Sequence, residues 1–322
     1  MALSNMQVYQ NEIQGVAIEL LQQNLNAFNA ASGGAIVLST DAWRGDYSKE
    51  SFFSTLAAAQ RRVDRYATND AVSATALAQA EQIGVKVAGG FGPVLFEPAQ
   101  MTYLQNSPEQ AIMAIAEGFA NALLSDQLNT AIAAACAAVG GQASLVNDVS
   151  ASAGLTQTVL NNSHAKFGDQ SGLLICDVMT GAAYHKLIDE ALTNTNQLFQ
   201  SGNVTIINIL GKRVIVTDAA SLYVAGTPNK SKVLSLTAGG IIVDNSGDIQ
   251  TNLQTNNGKI RIETTWQADY TFGVKLKGYK WDTANGGKSP TSAELATASN
   301  WDLAVTSGKQ TLGTLAIADA DG

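Results

Sequence analysis

Histidine is scarce in this chain: 322 residues hold two, His164 and His185. They stand 21 residues apart, outside any HExxH pattern, and no cysteine pair has the spacing of a zinc site. His185 falls within AAYHKLI, which reads as helix, and His164 near the end of another helix; neither is expected to act as a general base. Cys136 and Cys176 are lone cysteines. Cys136 lies in an Ala-rich stretch and reads as a small buried residue. Asp189-Glu190 is an adjacent acidic pair in a helical stretch, where sequence neighbours do not face each other, so it makes a poor acid/base dyad. Asn285-Gly286-Gly287-Lys288-Ser289 is the nearest match to a phosphate-binding loop. That motif wants Gly where Asp282 stands, and Pro290 follows at once, so the segment reads as a turn. There is no GxSxG elbow. No catalytic, cofactor-binding or metal site is expected.

The densest positive charge is Arg61, Arg62 and Arg65 in QRRVDRY, which reads as a strand on which the three cannot all face one way. Two readings stand: a solvated or salt-bridged face, or contact with nucleic acid. The net charge of −8 argues against wrapping nucleic acid, and only 14% of residues are charged. Such a neutral, polar surface suits wide contact with other protein. Were the chain to assemble with copies of itself, Arg61, Arg62 and Arg65 would be the candidates for intersubunit contact. The opening MALSNMQVYQ has neither a basic n-region nor an apolar h-region, so no secretory signal is expected, and folding in a reducing cytosol is. No run of 18 apolar residues exists, and no membrane partner is expected.

The elements that would position these residues are unusually long. In SPEQAIMAIAEGFANALLSDQLNTAIAAACAAVGG, Ser107 and Gln110 form a capping box, Pro108 sits at the first helical position, and Gly140-Gly141 stops the helix. About 30 helical residues make a rod of roughly 45 Å. Ile112, Ile115, Phe119, Leu123 and Ile132 mark its apolar face, and Glu109, Glu117, Asp126 and Gln127 its polar side. Residues 259–281 alternate: Ile260, Ile262, Trp266, Ala268, Tyr270, Phe272, Val274 and Leu276 on one parity, charged and polar residues on the other. This predicts a single long strand.

The rest reads in order. Residues 1–33 form an arm with a helix from about Asn11 to Phe28. Residues 34–105 form a two-stranded extended excursion with little core of its own. Residues 150–255 form an α/β module with helices over Ser152–Phe167 and Thr180–Leu198 and a strand over Leu173–Val178. Within it, Val204–Leu210 with Arg213–Val216, and Val233–Leu236 with Ile241–Val243, read as hairpins around Gly211-Lys212 and Gly239-Gly240. Residues 283–322 read as a small-residue tail anchored by Trp301.

This order of parts resembles the major capsid protein of tailed bacteriophages, with its α+β, Hong Kong 97-type fold. The resemblance covers nearly the whole chain. Its local carriers are QRRVDRYATNDAVSATALAQAEQIGVKVAGGFGPVLFEP, the rod above, and TWQADYTFGVKLKGYKWDTANGGKSPTSAELATASNWD. Most specific is Gly273–Asp282, a GVKGYKWD-like run with Leu276-Lys277 inserted. The resemblance implies an N-terminal arm (1–33), an extended loop with flanking peripheral-domain strands (34–105), a spine helix (106–149), an axial domain (150–255), a long return strand (256–285) and a C-terminal tail (286–322). It implies a shell of pentamers and hexamers enclosing double-stranded DNA in a virion, assembled in the host cytoplasm with a separate scaffolding protein and a portal. Some members crosslink a loop Lys to an Asn; Lys49 and Lys86 are the loop lysines, and nothing marks either as reactive. A cellular nanocompartment shell of the same fold and a soluble α/β enzyme are the alternatives.

Overall fold

The computed structural model describes residues 16–23, 25, 26, 28–30, 32–39, 41, 43–53, 60–69, 71–74, 76, 79–96, 108–193, 212–245, 247–258, 260 and 263–322. The expected capping Ser107, the first strand of the 204–216 hairpin and the helix end at 194–198 lie outside these.

The spine helix, α1 (Pro108–Gly140), forms as expected from its Ala-rich, proline-free interior. It ends where Gly141 N donates to Ala137 O at 3.0 Å and Gln142 N to Val139 O at 2.9 Å. Its last turns are almost wholly enclosed: Ala131, Ala134, Ala135, Ala138 and Val139 are all fully buried. Alanine at these positions lets neighbouring backbone come close. Gln127, read as part of the polar side, is instead buried. Residues 115–140 are long and apolar enough to cross a membrane, but the helix spends its apolar surface inside this fold.

Two sheets flank the spine. One has eight described strands: β1 (Ile36–Ser39), β2 (Tyr47–Phe53), β3 (Gln79–Phe96), β9 (Ile241–Asn245), β10 (Gln250–Asn256), β11 (Glu263–Leu276), β12 (Tyr279–Trp281) and β13 (Trp301–Leu303). The other has six: β4 (Val146–Asp148), β5 (Leu174–Met179), β6 (Arg213–Val216), β7 (Tyr223–Val224), β8 (Lys230–Thr237) and β14 (Gly313–Asp319). Helices α2 (Gln157–Ala165) and α3 (Gly181–Thr193) lie against the second sheet, where Val159, Leu160, Tyr184 and Leu187 meet Met179, Val233 and Ala316. The spine belongs to the main core, which also takes in Cys176, Leu234, Leu236 and Leu315 from the six-stranded sheet and Val85, Phe272 and Val274 from the eight-stranded one.

The excursion is two-stranded, as read: β2 runs antiparallel to the first half of β3, with Tyr47 opposite Val85 and Phe53 opposite Gln79. The rest of β3 pairs with β11, from Val85 opposite Val274 to Phe96 opposite Thr264. β11 buries its even positions, Ala268, Tyr270, Phe272, Val274 and Leu276, as the alternation required. It starts at Glu263 rather than 259, with Ile260, expected on the buried parity, exposed, and it does not run to 281. Gly278, at φ +79°, turns the chain into the separate strand β12, and a Cβ there would meet Thr311 Cα at 2.9 Å. Tyr279 and Trp281 then carry burial on the odd parity.

Three further readings are corrected. β8 and β9 do not form a hairpin: β8 pairs with β5, β7 and β14, and β9 with β1 and β11, so the Gly239-Gly240 turn carries the chain from one sheet to the other. Residues 286–322 are not a loose tail. Within them β14 inserts between β4 and β8, and Trp301 is buried with its indole N–H donated to Leu295 O at 3.0 Å and its ring edge-on to Trp281. α2 starts at 157 rather than 152, because Thr156 accepts from Val159 N at 3.2 Å and sets the first turn.

Candidate functional site

The three arginines do not lie on a strand. Residues 60–69 are irregular and every one is exposed. Tyr66 is 92% exposed, Val63 66% and Val72 62%, on a segment with no core of its own. The Arg65 guanidinium lies 5.9 Å from the Tyr66 ring centre, and among the described residues none of the three arginines forms an ion pair. Short-range strand propensity was overridden because nothing pairs with this stretch within the described subunit.

The root of the excursion is fastened tightly. Trp43 lies flat on the sheet over Gly273, where a Cβ would stand 1.9 Å from the indole, and over Gly84 at 2.9 Å. Lys275 Nζ sits 5.2 Å from the Trp43 ring centre, 3.0 Å from Asp244 and 3.3 Å from Glu50 on β2. Desolvation works against the Lys275 charge, yet Asp244 and Glu50 hold its pKa above the ordinary value. Lys86 pairs with Asp248 at 3.0 Å, which engages its ammonium in the sheet.

On the opposite face, aromatic rings weld the spine to β3 and β11. Phe119 meets Phe91 and Trp266 edge-on at 5.5 and 5.6 Å, and Phe91 stacks on Tyr270 at 5.4 Å. Tyr270 donates its hydroxyl to Asp126 at 2.6 Å; burial and then this carboxylate push the phenol well above its usual range. Gly89 makes room for the Tyr270 ring, which a Cβ would meet at 2.6 Å.

The interior holds one constellation that sequence reading missed. His164 Nε2 lies 3.1 Å from both Asp177 Oδ1 and Ser235 Oγ, and all three residues are buried. The residue types are those of a hydrolase triad, but the geometry is not. Such a triad needs the acid on one ring nitrogen and the nucleophile on the other. Here both partners converge on Nε2, and the site is closed to substrate. The set ties α2 to β5 and β8. Its members are 13 and 71 residues from His164, and only the sheet order brings them together.

The other sequence candidates lie apart from one another among the described residues. His185 is exposed on α3 beside Tyr184. Glu190 accepts from the α2 backbone N–H of Gln157 at 2.6 Å, a carboxylate at the positive end of a helix. Burial pushes the Cys136 and Cys176 thiols up to about 12, which leaves them unreactive near neutral pH. Asn285–Ser289 is a turn: Asp282 Oδ1 accepts from Ala284 N and Asn285 N, and the Trp281 indole packs where a Gly286 side chain would stand. No group of three or more metal-ligating side chains occurs among the described residues.

A long spine, two sheets and an exposed excursion make up the described fold. Comparison with known proteins agrees. The Gp13-like family profile, described as major capsid protein 13-like, matches residues 5–315. No curated protein sequence matches the chain. Among solved structures, the capsid asymmetric unit of cyanophage Pam1 is similar, with a TM-score of 0.52 at 13% identity over 89% of both chains. The capsid of Helicobacter pylori bacteriophage KHP30 gives 0.49 at 9% identity, covering 90% of this chain and 88% of that one. The SrpI encapsulin of Synechococcus elongatus gives 0.48 at 10% identity, covering 88% and 85%. The fold assignment rests on the first of these and the family assignment on the profile: the chain has the Hong Kong 97-type fold and belongs to the Gp13-like family of phage major capsid proteins.

Proposed function

We propose that this coat protein self-assembles as pentamers and hexamers into the icosahedral head of a tailed phage, around double-stranded DNA. The observation that carries the reading is the excursion: a well-rooted hairpin ends in a wholly exposed segment bearing Val63, Tyr66, Val72 and three arginines. Large exposed apolar side chains grouped on one segment mark a contact surface. The covering surface is an adjacent subunit, with Arg61, Arg62 and Arg65 setting the register against its carboxylates.

In this reading the arm (1–33), the extended loop (34–105), the spine (106–149) and the return strand (256–285) build the peripheral part. The six-stranded sheet, drawn mostly from the 150–255 segment, supplies the axial part around five- and six-fold centres; β9 and β10 of that segment lie in the other sheet with β3 and β11, and residues 286–322 are stitched into both sheets. A scaffolding protein, a portal and assembly in the host cytoplasm belong to the same reading. DNA is enclosed without tight or sequence-specific binding, as the net charge of −8 favours. Electron microscopy and sedimentation of the purified protein test it. Closed shells of uniform size are expected; a monomer or small soluble oligomer under every assembly condition would overturn it.

A further inference from the structure

Two Asn-Gly dipeptides occur in the sequence, Asn257-Gly258 and Asn285-Gly286. This dipeptide has a chemistry of its own. Glycine carries no side chain to shield its backbone nitrogen, so that nitrogen can attack the amide carbon of the preceding asparagine. The attack needs a glycine N–H that is not held in a hydrogen bond, an asparagine side chain free to swing over it, and a backbone that can follow. The two dipeptides differ in all three.

Asn285-Gly286 is held. Asn285 Nδ2 donates to Asp282 Oδ2 at 2.5 Å, and the Asn285 backbone N–H to Asp282 Oδ1 at 3.3 Å. The attacking nitrogen is engaged as well, because Gly286 N donates to Asp282 O at 2.9 Å. Gly286 is buried against the Trp281 indole, which a Cβ there would meet at 2.2 Å, and the indole N–H donates to Gly287 O at 3.0 Å. Donation from Ala284 N, Asn285 N and the Asn285 amide holds the Asp282 carboxyl below its usual pKa, so this acceptor stays charged.

Asn257-Gly258 is open. It lies in the connection from β10 to β11, just past Asn256, which sits opposite Glu263. Both residues are exposed, and among the described residues neither takes part in a hydrogen bond. Gly258 stands at φ +88°, and a Cβ there would meet nothing within 4 Å.

We propose that Asn257 is a self-modification site, losing ammonia spontaneously through a succinimide, and that the Asp282 hook withholds Asn285 from the same reaction. Hydroxide takes the Gly258 N proton. The nitrogen bonds to Asn257 Cγ, the Cγ–Nδ2 bond breaks, and the side-chain nitrogen takes a proton from water and leaves as ammonia. Water then opens the ring. Cleavage of the new N–Cγ bond leaves an aspartate. Cleavage at the Asn257 backbone carbonyl carbon leaves an isoaspartate, with the chain rerouted through the side chain. The net change is water in and ammonia out, with nothing oxidised or reduced. Each event places a new negative charge at the end of the β10–β11 pair, and the isoaspartate also lengthens the backbone there. This goes beyond the shell reading and does not rest on it.

The test uses the full-length chain in mildly alkaline buffer, digested and mapped by mass spectrometry, with isoaspartate scored by enzymatic carboxyl methylation. The peptide holding Asn257 should convert about tenfold faster, or more, than the one holding Asn285, a barrier difference of about 1.4 kcal/mol. In denaturant, where both dipeptides lose their surroundings, the two rates should converge. Asn257→Gln should abolish the fast conversion, and Asp282→Ala should speed Asn285 while leaving Asn257 unchanged. The wild-type comparison, folded against denatured, stands even where a variant fails to fold. Equal rates in the folded chain, or an Asn257 peptide that stays intact there while the denatured chain converts, would overturn the assignment.

Discussion

The last turns of the spine and the tip of the excursion are opposite solutions to one problem. Neither carries a dense set of large apolar side chains. From Ala131 to Val139 the spine is six alanines with Ile132, Cys136 and Val139, and all of them but Ala133 are buried. Residues 60–69 hold Val63 and Tyr66 among charged and polar neighbours, and every one is exposed. The difference lies in where the partners are. The spine finds its partners within the chain, in both sheets; on the proposed reading the excursion finds them in the next subunit. Burial in a single chain therefore separates residues that make the subunit from residues that make the shell.

The comparison breaks first at the spine. Ala134→Pro removes a helix hydrogen bond and clashes with the preceding turn, costing about 3 kcal/mol or more. A domain holds only about 5–15 kcal/mol in all, so insoluble subunits are expected in an expression and solubility assay. Next is Gly273→Ala, whose methyl group would occupy the Trp43 ring. Overpacking of this kind costs about 1–3 kcal/mol, read as a lower denaturant midpoint with an unchanged slope. Removal of residues 60–74 should change the unfolding free energy by about 0.5 kcal/mol or less, as for exposed positions generally, yet abolish shells. Arg62→Glu should leave the melt unchanged and slow assembly at low salt, with partial rescue at high salt through screening. If Arg61→Glu, Arg62→Glu and Arg65→Glu all assemble normally at low salt, the arginines are a solvated face.

The smallest effect is in acid. Lys309 holds the Asp169 carboxyl below its usual pKa, and Lys86 does the same for Asp248. A depressed carboxylate adds stability that is present above its unfolded pKa, about 3.9, and lost as pH falls through the folded value. Denaturant midpoints should thus be flat from pH 7 to 5 and fall below about pH 4. Lys309→Ala should shallow that fall, and the excursion arginine variants should not alter it.

Legibility in the sequence followed the range of the interactions. The spine announced itself through Pro108, an uninterrupted helical run and Gly140, all local signals. The burial of β11 was legible because alternation is local too. Its end at Gly278 had a signal that went unused: the buried parity switches from Leu276 to Tyr279, as a turn demands. What could not be read was partnership across the chain. Two apolar runs around Gly239-Gly240 look like a hairpin, yet their partners are β14 and β1, which no local pattern specifies. β14 itself, GTLAIAD, is too short to distinguish from a tail until its place between β4 and β8 is known. The His164, Asp177 and Ser235 cluster was invisible for the same reason. At the excursion the residue types were legible but not the absence of a strand, because propensity without a pairing partner does not hold an extended segment in a sheet.

One mechanical consequence follows from the spine's position. At 33 residues it is a shaft about 50 Å long. Its first half is gripped by the aromatic rings of β3 and β11, its second half by alanine contacts that include the six-stranded sheet. Neither sheet can rotate against the other without twisting or bending this shaft. A relative rotation of the two sheets therefore has to strain the helix as well as the loops between them.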